Sequence, residues 1–343
     1  MQLKVAVIGL GQQALEDHLP ALQESSLYEL LAVCDIDQAI VDNVAAQYGV
    51  KGFTSVEELL SSLKLDVVII AVPHAQYLDI ISKVAKQGIH VIKEKPFATS
   101  VQEASALQRI IRENNIFVGV TVQRRFNPIF QAFPQLKKRI GKIYSIEGRY
   151  TMNVTALDVG WRASKSLAGG GALIDMGYHF VDLLVWYFGM PNSVTARITR
   201  GNRPGQQYDV EDTVQMLFDY KHGDLPEEKT VGNFIISRVY PQKEEKLTAF
   251  GTHGVLELQR GLIRRLDNQG EEIERLERKG RWLSAAVEQL EFFAREIQGA
   301  KTREVSNLHE HLQHIAIIEA AYESDRTFSS SSPQQFYQSL IAN

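Results

Sequence analysis

Apolar residues fall along this chain in two different rhythms. Through the first third, short runs dense in Val and Ile alternate with stretches of helical spacing. KVAVIG (4–9), ELLAVCD (29–35), DVVIIAV (66–72), HVIKE (90–94) and FVGVTV (117–122) read as strands. Between them, residues 15–24, 39–48, 55–63, 77–88 and 101–114 place apolar side chains at helical intervals. Ser55 with Glu58 and Ser100 with Glu103 have capping-box spacing, and Gly88 stops the fourth helix. Strands apolar on both faces, alternating with helices, predict an α/β unit with a parallel sheet covered on both sides.

Past QRRFNP (123–128) the rhythm becomes an alternation of period two. It runs through 144–152, 193–200, 212–220, 232–240, 247–251 and 255–259. This predicts an α+β domain with a broad, mostly antiparallel open sheet. One helix begins near Ile174, and two more occupy about 284–298 and 307–322. HGDLPEEK (222–229) reads as a solvated hairpin loop and the serines at 329–332 as a polar tail. The expected domains are 1–123, binding a dinucleotide, and 124–343, for substrate binding and oligomerisation.

At 343 residues the chain exceeds what one core usually holds, which supports two domains. Hydrophobic residues make up 44% and charged residues 23%, the balance of an ordinary soluble globular protein. The formal charge of −4 leaves no footprint for nucleic acid or an anionic membrane. Cys34 is the single cysteine, which excludes an internal disulfide framework and fits a reducing compartment. MQLKVAVIGLG lacks a signal-peptide pattern, and no apolar stretch approaches the ~20 residues of a bilayer span. The expected location is cytoplasmic.

GLGQQA (9–14) follows a strand and precedes a helix, the context of a dinucleotide fingerprint. Gly9 permits the tight turn, Gly11 lets backbone approach a pyrophosphate, and the helix N-terminus offers that anion unpaired N–H groups. Gly9, Leu10, Gly11, Gln12 and Gln13 are therefore the expected phosphate turn of a Rossmann domain. Asp35 ends the second strand, where the fingerprint places an acid for the adenine ribose hydroxyls; the alternative is a turn or cap aspartate. Its neighbours Ile36 and Asp37 bring no cation for a 2′-phosphate. A carboxylate repels such a group by ~4 kcal/mol at ~4 Å and an effective dielectric of ~20, so NAD is expected over NADP.

Glu94-Lys95-Pro96 closes the fourth apolar run. A lysine at the exit of a parallel strand lies where open α/β sheets bind ligands, and the proline holds it in one direction. GGGALIDMGYHFVDLLVWYFG (169–189) is a second informative stretch, its three glycines reading as a segment that lets backbone approach a ligand. Asp175 and His179, four apart, share a helix face, with Asp182 on the same side. In an apolar helix such groups face a cleft or pair with each other, and a structural hydrogen bond is the commoner reason. No accompanying ligand motif points to zinc, so no metal is expected.

Hydride transfer from a carbinol also requires removal of its hydroxyl proton. His179, with an ordinary pKa of ~6.5, suits that task near neutrality. Lys95 as an ammonium can stabilise the developing alkoxide, and Asp175 can orient the imidazole or grip an adjacent hydroxyl. His18, His222, His309, His311 and His314 read as surface or packing residues.

Several pieces, in order, carry a resemblance: GLGQQA, Cys34-Asp35, AVP (71–73), GIHVIKEKP (88–96), QRRF (123–126), Trp161-Arg162, GGGALIDMGYH (169–179) and EAAYES (319–324). The chain resembles the glucose–fructose oxidoreductase / inositol dehydrogenase / MocA (Gfo/Idh/MocA) family across nearly its whole length. The resemblance implies a Rossmann domain joined to a domain whose open sheet buries a subunit interface, hence a homodimer or homotetramer. It implies that Lys95 serves both cofactor and substrate, that Asp175 and His179 flank the reacting carbon, and that Glu94 neighbours the nicotinamide.

By the same resemblance, Ala71, Pro73 and His74 line the cofactor, Gln123 approaches the nicotinamide, and Trp161 and Arg162 close over it. It implies a cis Lys95–Pro96 bond. His74 and Tyr77 stand where the family usually has asparagine and histidine. Arg124 is a candidate contact for an anionic substrate. The expected activity is NAD-dependent hydride transfer between nicotinamide and a carbinol or ketone of a sugar, sugar derivative or cyclitol. Two alternatives stay open: an NAD-dependent glycosidase of the same fold, and a non-catalytic dinucleotide-binding sensor. Lys95, Asp175 and His179 together weigh against the sensor.

Overall fold

The computed structural model describes residues 2–222, 229–278, 282–300 and 307–342, so the tip of the hairpin predicted at 222–229 lies outside the described residues. The chain divides into two compact units. The first comprises Met1–Ala98, Gln102–Phe126 and Arg281–Asn307; the second comprises Thr99–Val101, Asn127–Gly280 and Leu308–Asn343.

The first unit is built on six parallel strands: β1 (Leu3–Ile8), β2 (Tyr28–Cys34), β3 (Lys51–Phe53), β4 (Val67–Ile70), β5 (His90–Lys93) and β6 (Val118–Val120). Their order is β3-β2-β1-β4-β5-β6, the doubly wound arrangement of a Rossmann fold. Every residue of β4 is fully buried, which is why its sequence shows no alternation. Ser55 caps the helix Val56–Ser62 as its spacing predicts, accepting the Glu58 N–H at 3.3 Å.

One helix of this unit comes from far along the chain. Leu290, Phe292 and Phe293 of Leu283–Ile297 share a core with Val5, Val7 and Leu22, and Gln289 accepts the Val122 N–H at 2.6 Å. A single cut at 123/124 assigns this helix to the second domain. Its amphipathic spacing predicts the helix but does not say which sheet it covers.

The second unit carries an eight-stranded sheet of β7 (Ile143–Asn153), β8 (Ser193–Thr199), β9 (Thr213–Lys221), β10 (Lys229–Ser237), β11 (Val239–Gly251), β12 (Gly254–Gln259), β13 (Leu262–Leu266) and β14 (Glu272–Glu277). The order is β14-β13-β12-β11-β7-β10-β9-β8, antiparallel except for β7 with β10. Met216, Phe218, Phe234 and Ile236 point inward, and Phe180 of the helix Tyr178–Phe188 meets Phe234 edge-on at 5.3 Å. On the other face Leu217 and Val231 are exposed. The serine run is no free tail: Ser331 exchanges two 2.8 Å backbone hydrogen bonds with Val194 of β8, and the helix Pro333–Ile341 follows. Among the described residues no helix is long and apolar enough to cross a membrane.

Candidate active site

A parallel sheet collects the exits of its strands along one edge, and the residues predicted to bind a nucleotide all follow such exits. Adjacent exits are tied together: Gly9 N–H donates to Cys34 O at 2.8 Å, Ala71 N–H to Ile8 O at 2.8 Å and Glu94 N–H to Ile70 O at 3.0 Å. Gly9 has φ +91°, and a Cβ there would sit 2.4 Å from the Ala71 carbonyl oxygen, so no other residue fits. At Gly11 an added Cβ would meet nothing within 4 Å. The turn is therefore closed on the protein side and open where a phosphate would approach.

Asp35 lies half-buried at the next exit. The Leu10 N–H donates to its Oδ2 at 2.7 Å and the Asp37 N–H to its Oδ1 at 3.1 Å. Asp37 is the residue that caps the following helix, accepting from Ala39 at 2.9 Å and Ile40 at 3.3 Å. Ile36 is 94% exposed. Gln12 and Gln13 start the first helix, with Gln12 bonded to Glu16 at 2.8 Å. Gln13 and Gln123 share Asp17 Oδ2, the latter at 3.1 Å. Pro73 is half-buried, whereas His74 is buried with its ring stacked on Tyr77.

At the exit of β5, Glu94 and Lys95 are half-buried and the Lys95–Pro96 peptide is cis. His18, expected at the surface or in packing, is buried and meets Glu94 Oε1 through Nε2 at 2.9 Å. Burial alone would raise the Glu94 carboxyl. The hydrogen bond and charge of His18, with the Lys95 ammonium, outweigh burial and hold it below the usual carboxylate range. Arg124 is largely enclosed, with its guanidinium 5.9 Å from the Trp282 ring centroid, a packing environment rather than an open one.

In the second unit, Asp175 lies on a π-helical turn, Leu173–Gly177, that runs into Tyr178–Phe188. A second π-helical turn, Ala14–His18, follows the glycine turn of the first unit. Such turns are rare and concentrate where side chains must be re-aimed. The Asp175 carboxylate is gripped by Arg238 Nη2 at 2.8 Å and Arg162 Nε at 3.3 Å. Arg238 is buried and also donates to the Gly171 carbonyl at 3.2 Å. Arg162 is exposed and stacks over Trp161, its Cζ 4.3 Å from the ring centroid. His179 is half-buried, its ring 6.4 Å from that of Tyr150.

Two expectations for this stretch change. The three glycines admit neighbouring protein rather than a ligand: added Cβ atoms would meet Thr99 at 2.4 Å, Tyr322 Oη at 2.3 Å and the Glu211 carbonyl oxygen at 2.0 Å. Asp182 does not share the outlook of His179. It is buried and faces His314 Nε2 at 3.5 Å, while Tyr178 Oη bonds His311 Nδ1 at 3.0 Å and His314 Nδ1 at 3.2 Å. His18 and Arg238 are the polar residues that the sequence reading missed here. Arg238 carries one signal, a polar side chain inside an apolar run, whereas His18 follows Glu16 and Asp17 and carries none.

A family model for an oxidoreductase family with an NAD-binding Rossmann fold matches residues 3–122, and one for the GFO/IDH/MocA C-terminal domain matches residues 136–257. The chain belongs to the Gfo/Idh/MocA family of oxidoreductases. Two uncharacterised oxidoreductases of Schizosaccharomyces pombe are 26% and 28% identical over 64% and 65% of this chain, and the matched parts span 60% and 62% of those proteins. The rhizopine catabolism protein MocA of Rhizobium meliloti is 27% identical over 75% of this chain and 78% of its own length. A solved levoglucosan dehydrogenase, in complex with NADH and levoglucosan, shares the fold with a TM-score of 0.84 at 21% identity, covering 97% of this chain and 99% of that one.

Proposed function

We propose that the protein is an NAD-dependent oxidoreductase moving hydride between nicotinamide and a carbinol or ketone carbon of a sugar, sugar derivative or cyclitol. The observation that carries this is the turn at Gly9–Gly11, closed toward Ala71, open at Gly11 and tethered to Asp35 at 2.7 Å. These residues fit a dinucleotide. Each Asp35 oxygen accepts one backbone N–H and keeps a lone pair for a ribose hydroxyl. The carboxylate charge disfavours a 2′-phosphate, which supports NAD over NADP. When bound, the nicotinamide supplies the hydride chemistry.

The remaining work falls to side chains. Lys95 stabilises negative charge on the reacting oxygen, from a backbone whose preceding residue, Glu94, is pinned by His18 at 2.9 Å. His179 takes the hydroxyl proton in oxidation and returns it in reduction. Asp175, already held by two guanidiniums, acts as a fixed acceptor that orients the imidazole or a neighbouring hydroxyl. The levoglucosan bound by the dehydrogenase of the same fold supports a polyhydroxylated substrate. Assembly as a homodimer or homotetramer would use the open face of the eight-stranded sheet, where Leu217 and Val231 are exposed.

The test is to mix protein, NAD and a panel of polyols and sugar glycosides and follow absorbance of the reduced nicotinamide. Reduction dependent on a polyol is the expected result. Aglycone release without net reduction identifies the glycosidase, and NAD binding with neither outcome identifies the sensor. In the active case His179→Asn removes the rate dependence on a group titrating near neutrality; an unchanged profile assigns the proton to another base.

A further inference from the structure

Strand β5 ends on a residue that its packing alone does not call for. Lys93 sits inside the sheet, in register with Ile70 on one side and Val120 on the other, and is 0% exposed. Val91 and Ile92 before it are equally buried and apolar. Its Nζ donates to the carbonyls of Pro96 and, at 3.1 Å, Phe97, and lies 3.8 Å from the centroid of the buried Tyr77 ring. Two carbonyls and a ring face satisfy an ammonium that burial would otherwise make costly. A methionine would fill similar space without that demand, so the cation matters for what it holds. What it holds is the backbone immediately after Lys95.

Burial pushes the Lys93 amine down to about 7, opposed by the charges of Glu103 and Glu94, which favour the ammonium. Fully buried, Lys93 has no surface to offer a ligand and can act only through its neighbours. We infer that Lys93 is a positioning residue for Lys95: by gathering the carbonyls of Pro96 and Phe97, it fixes the backbone from which the Lys95 side chain projects. That role rests on Lys95 being the group that acts on the substrate oxygen.

The test compares full-length wild type with Lys93→Met, which keeps the stem but donates nothing, and Lys93→Gln, which keeps a donor. Amide hydrogen exchange of residues 94–99 is read for each, together with kcat and KM on the most active polyol of the panel. Loss of a charge-assisted bond to these carbonyls should speed exchange of that segment in Lys93→Met by about tenfold or more, with distant segments unchanged. The same misplacement should lower kcat by up to about 10²-fold with little change in the KM for NAD. Lys93→Gln should recover part of both. Wild-type exchange at 94–99 together with wild-type kcat in Lys93→Met overturns the inference; if that variant does not fold, the same pair of results in Lys93→Leu, which also donates nothing, does so.

A Lys95→Met control keeps the two ideas apart. If that variant retains wild-type kcat, the role of Lys95 fails and with it the catalytic part of the inference. The exchange measurement, which needs no substrate, then still decides whether Lys93 holds the segment.

Discussion

Replacing Asp35 by Ser and Ile36 by Arg should move the cofactor preference from NAD toward NADP, weakening NAD while NADP gains. Two separable effects act at this position. The carboxylate repels a 2′-phosphate by ~4 kcal/mol at ~4 Å and ~2 kcal/mol at ~8 Å, with an effective dielectric of ~20. This edge of the sheet is open to solvent, which screens the repulsion toward ~2 kcal/mol, and its removal shifts the ratio of dissociation constants by about thirtyfold. A guanidinium bonded to the phosphate adds ~1.5 kcal/mol or more, giving a total on the order of 10²-fold.

The second effect comes from the tether. Oδ2 of Asp35 accepts the Leu10 N–H at 2.7 Å, and serine is too short to replace it. Losing a hydrogen bond to a charged acceptor costs ~1.5 kcal/mol, so NAD should bind about tenfold more weakly, and the same loss offsets part of the gain for NADP. Asp35→Ser alone should show that loss with only the electrostatic part of the ratio change. Ile36 is 94% exposed, so the arginine disturbs no core. Calorimetric titration of NAD and NADP into wild type and both variants measures all of this without a substrate. A ratio that stays constant across the three proteins would remove Asp35 from the ribose site.

Lys95→Met should lower kcat by about 10²–10³-fold with NAD affinity largely intact, as steady-state rates and titration would report; near-wild-type turnover would take the lysine out of the mechanism. His18→Asn should destabilise the chain by ~1–3 kcal/mol near neutral pH, less than the ~3–5 kcal/mol of a fully enclosed pair because Glu94 keeps some solvent. Glu94 is held below the ordinary carboxylate range in the folded chain, so its pairing contributes fully above that range and is lost as pH falls through the lowered value. The gap in Tm between His18→Asn and wild type should close in acid, and a gap independent of pH would mean that the loss is one of packing. Gly171→Ala, with its Cβ 2.0 Å from the Glu211 carbonyl oxygen, should cost about 1–3 kcal/mol or more in denaturant melts without any ligand. An unshifted midpoint would restore the view that this backbone waits for a ligand.

The parts of the fold legible from sequence are those in which local pattern and tertiary environment agree. The runs at β1, β2, β4 and β5 are apolar because helices cover both faces of the sheet, and the glycine turn follows from a backbone only glycine adopts. β3 is too short at Lys51–Phe53 to show any period. β13 and β14 show no apolar alternation because cross-strand ion pairs support them: Arg264 meets Glu257 at 2.5 Å and Arg265 meets Glu274 at 3.1 Å.

Side-chain partners were less legible than elements. Asp175 stands out as a carboxylate in an apolar helix, but its main partner, Arg238, lies 63 residues away. His18 and Glu94 are 76 apart. Asp182 was assigned the outlook of His179 from helical spacing, whereas the buried His314 faces it from a helix 132 positions on. Spacing along one helix does not reveal which of its faces another element covers.

The return of Leu283–Ile297 to the first unit limits how this protein can be dissected. A fragment stopped after residue 126 would leave the seats of Leu290 and Phe293 empty and expose Val5, Val7 and Leu22, and Val122 would lose the acceptor of its amide. Isolating or transplanting the nucleotide module would require grafting that late helix back by a linker, or permuting the gene so that the two stretches are translated consecutively.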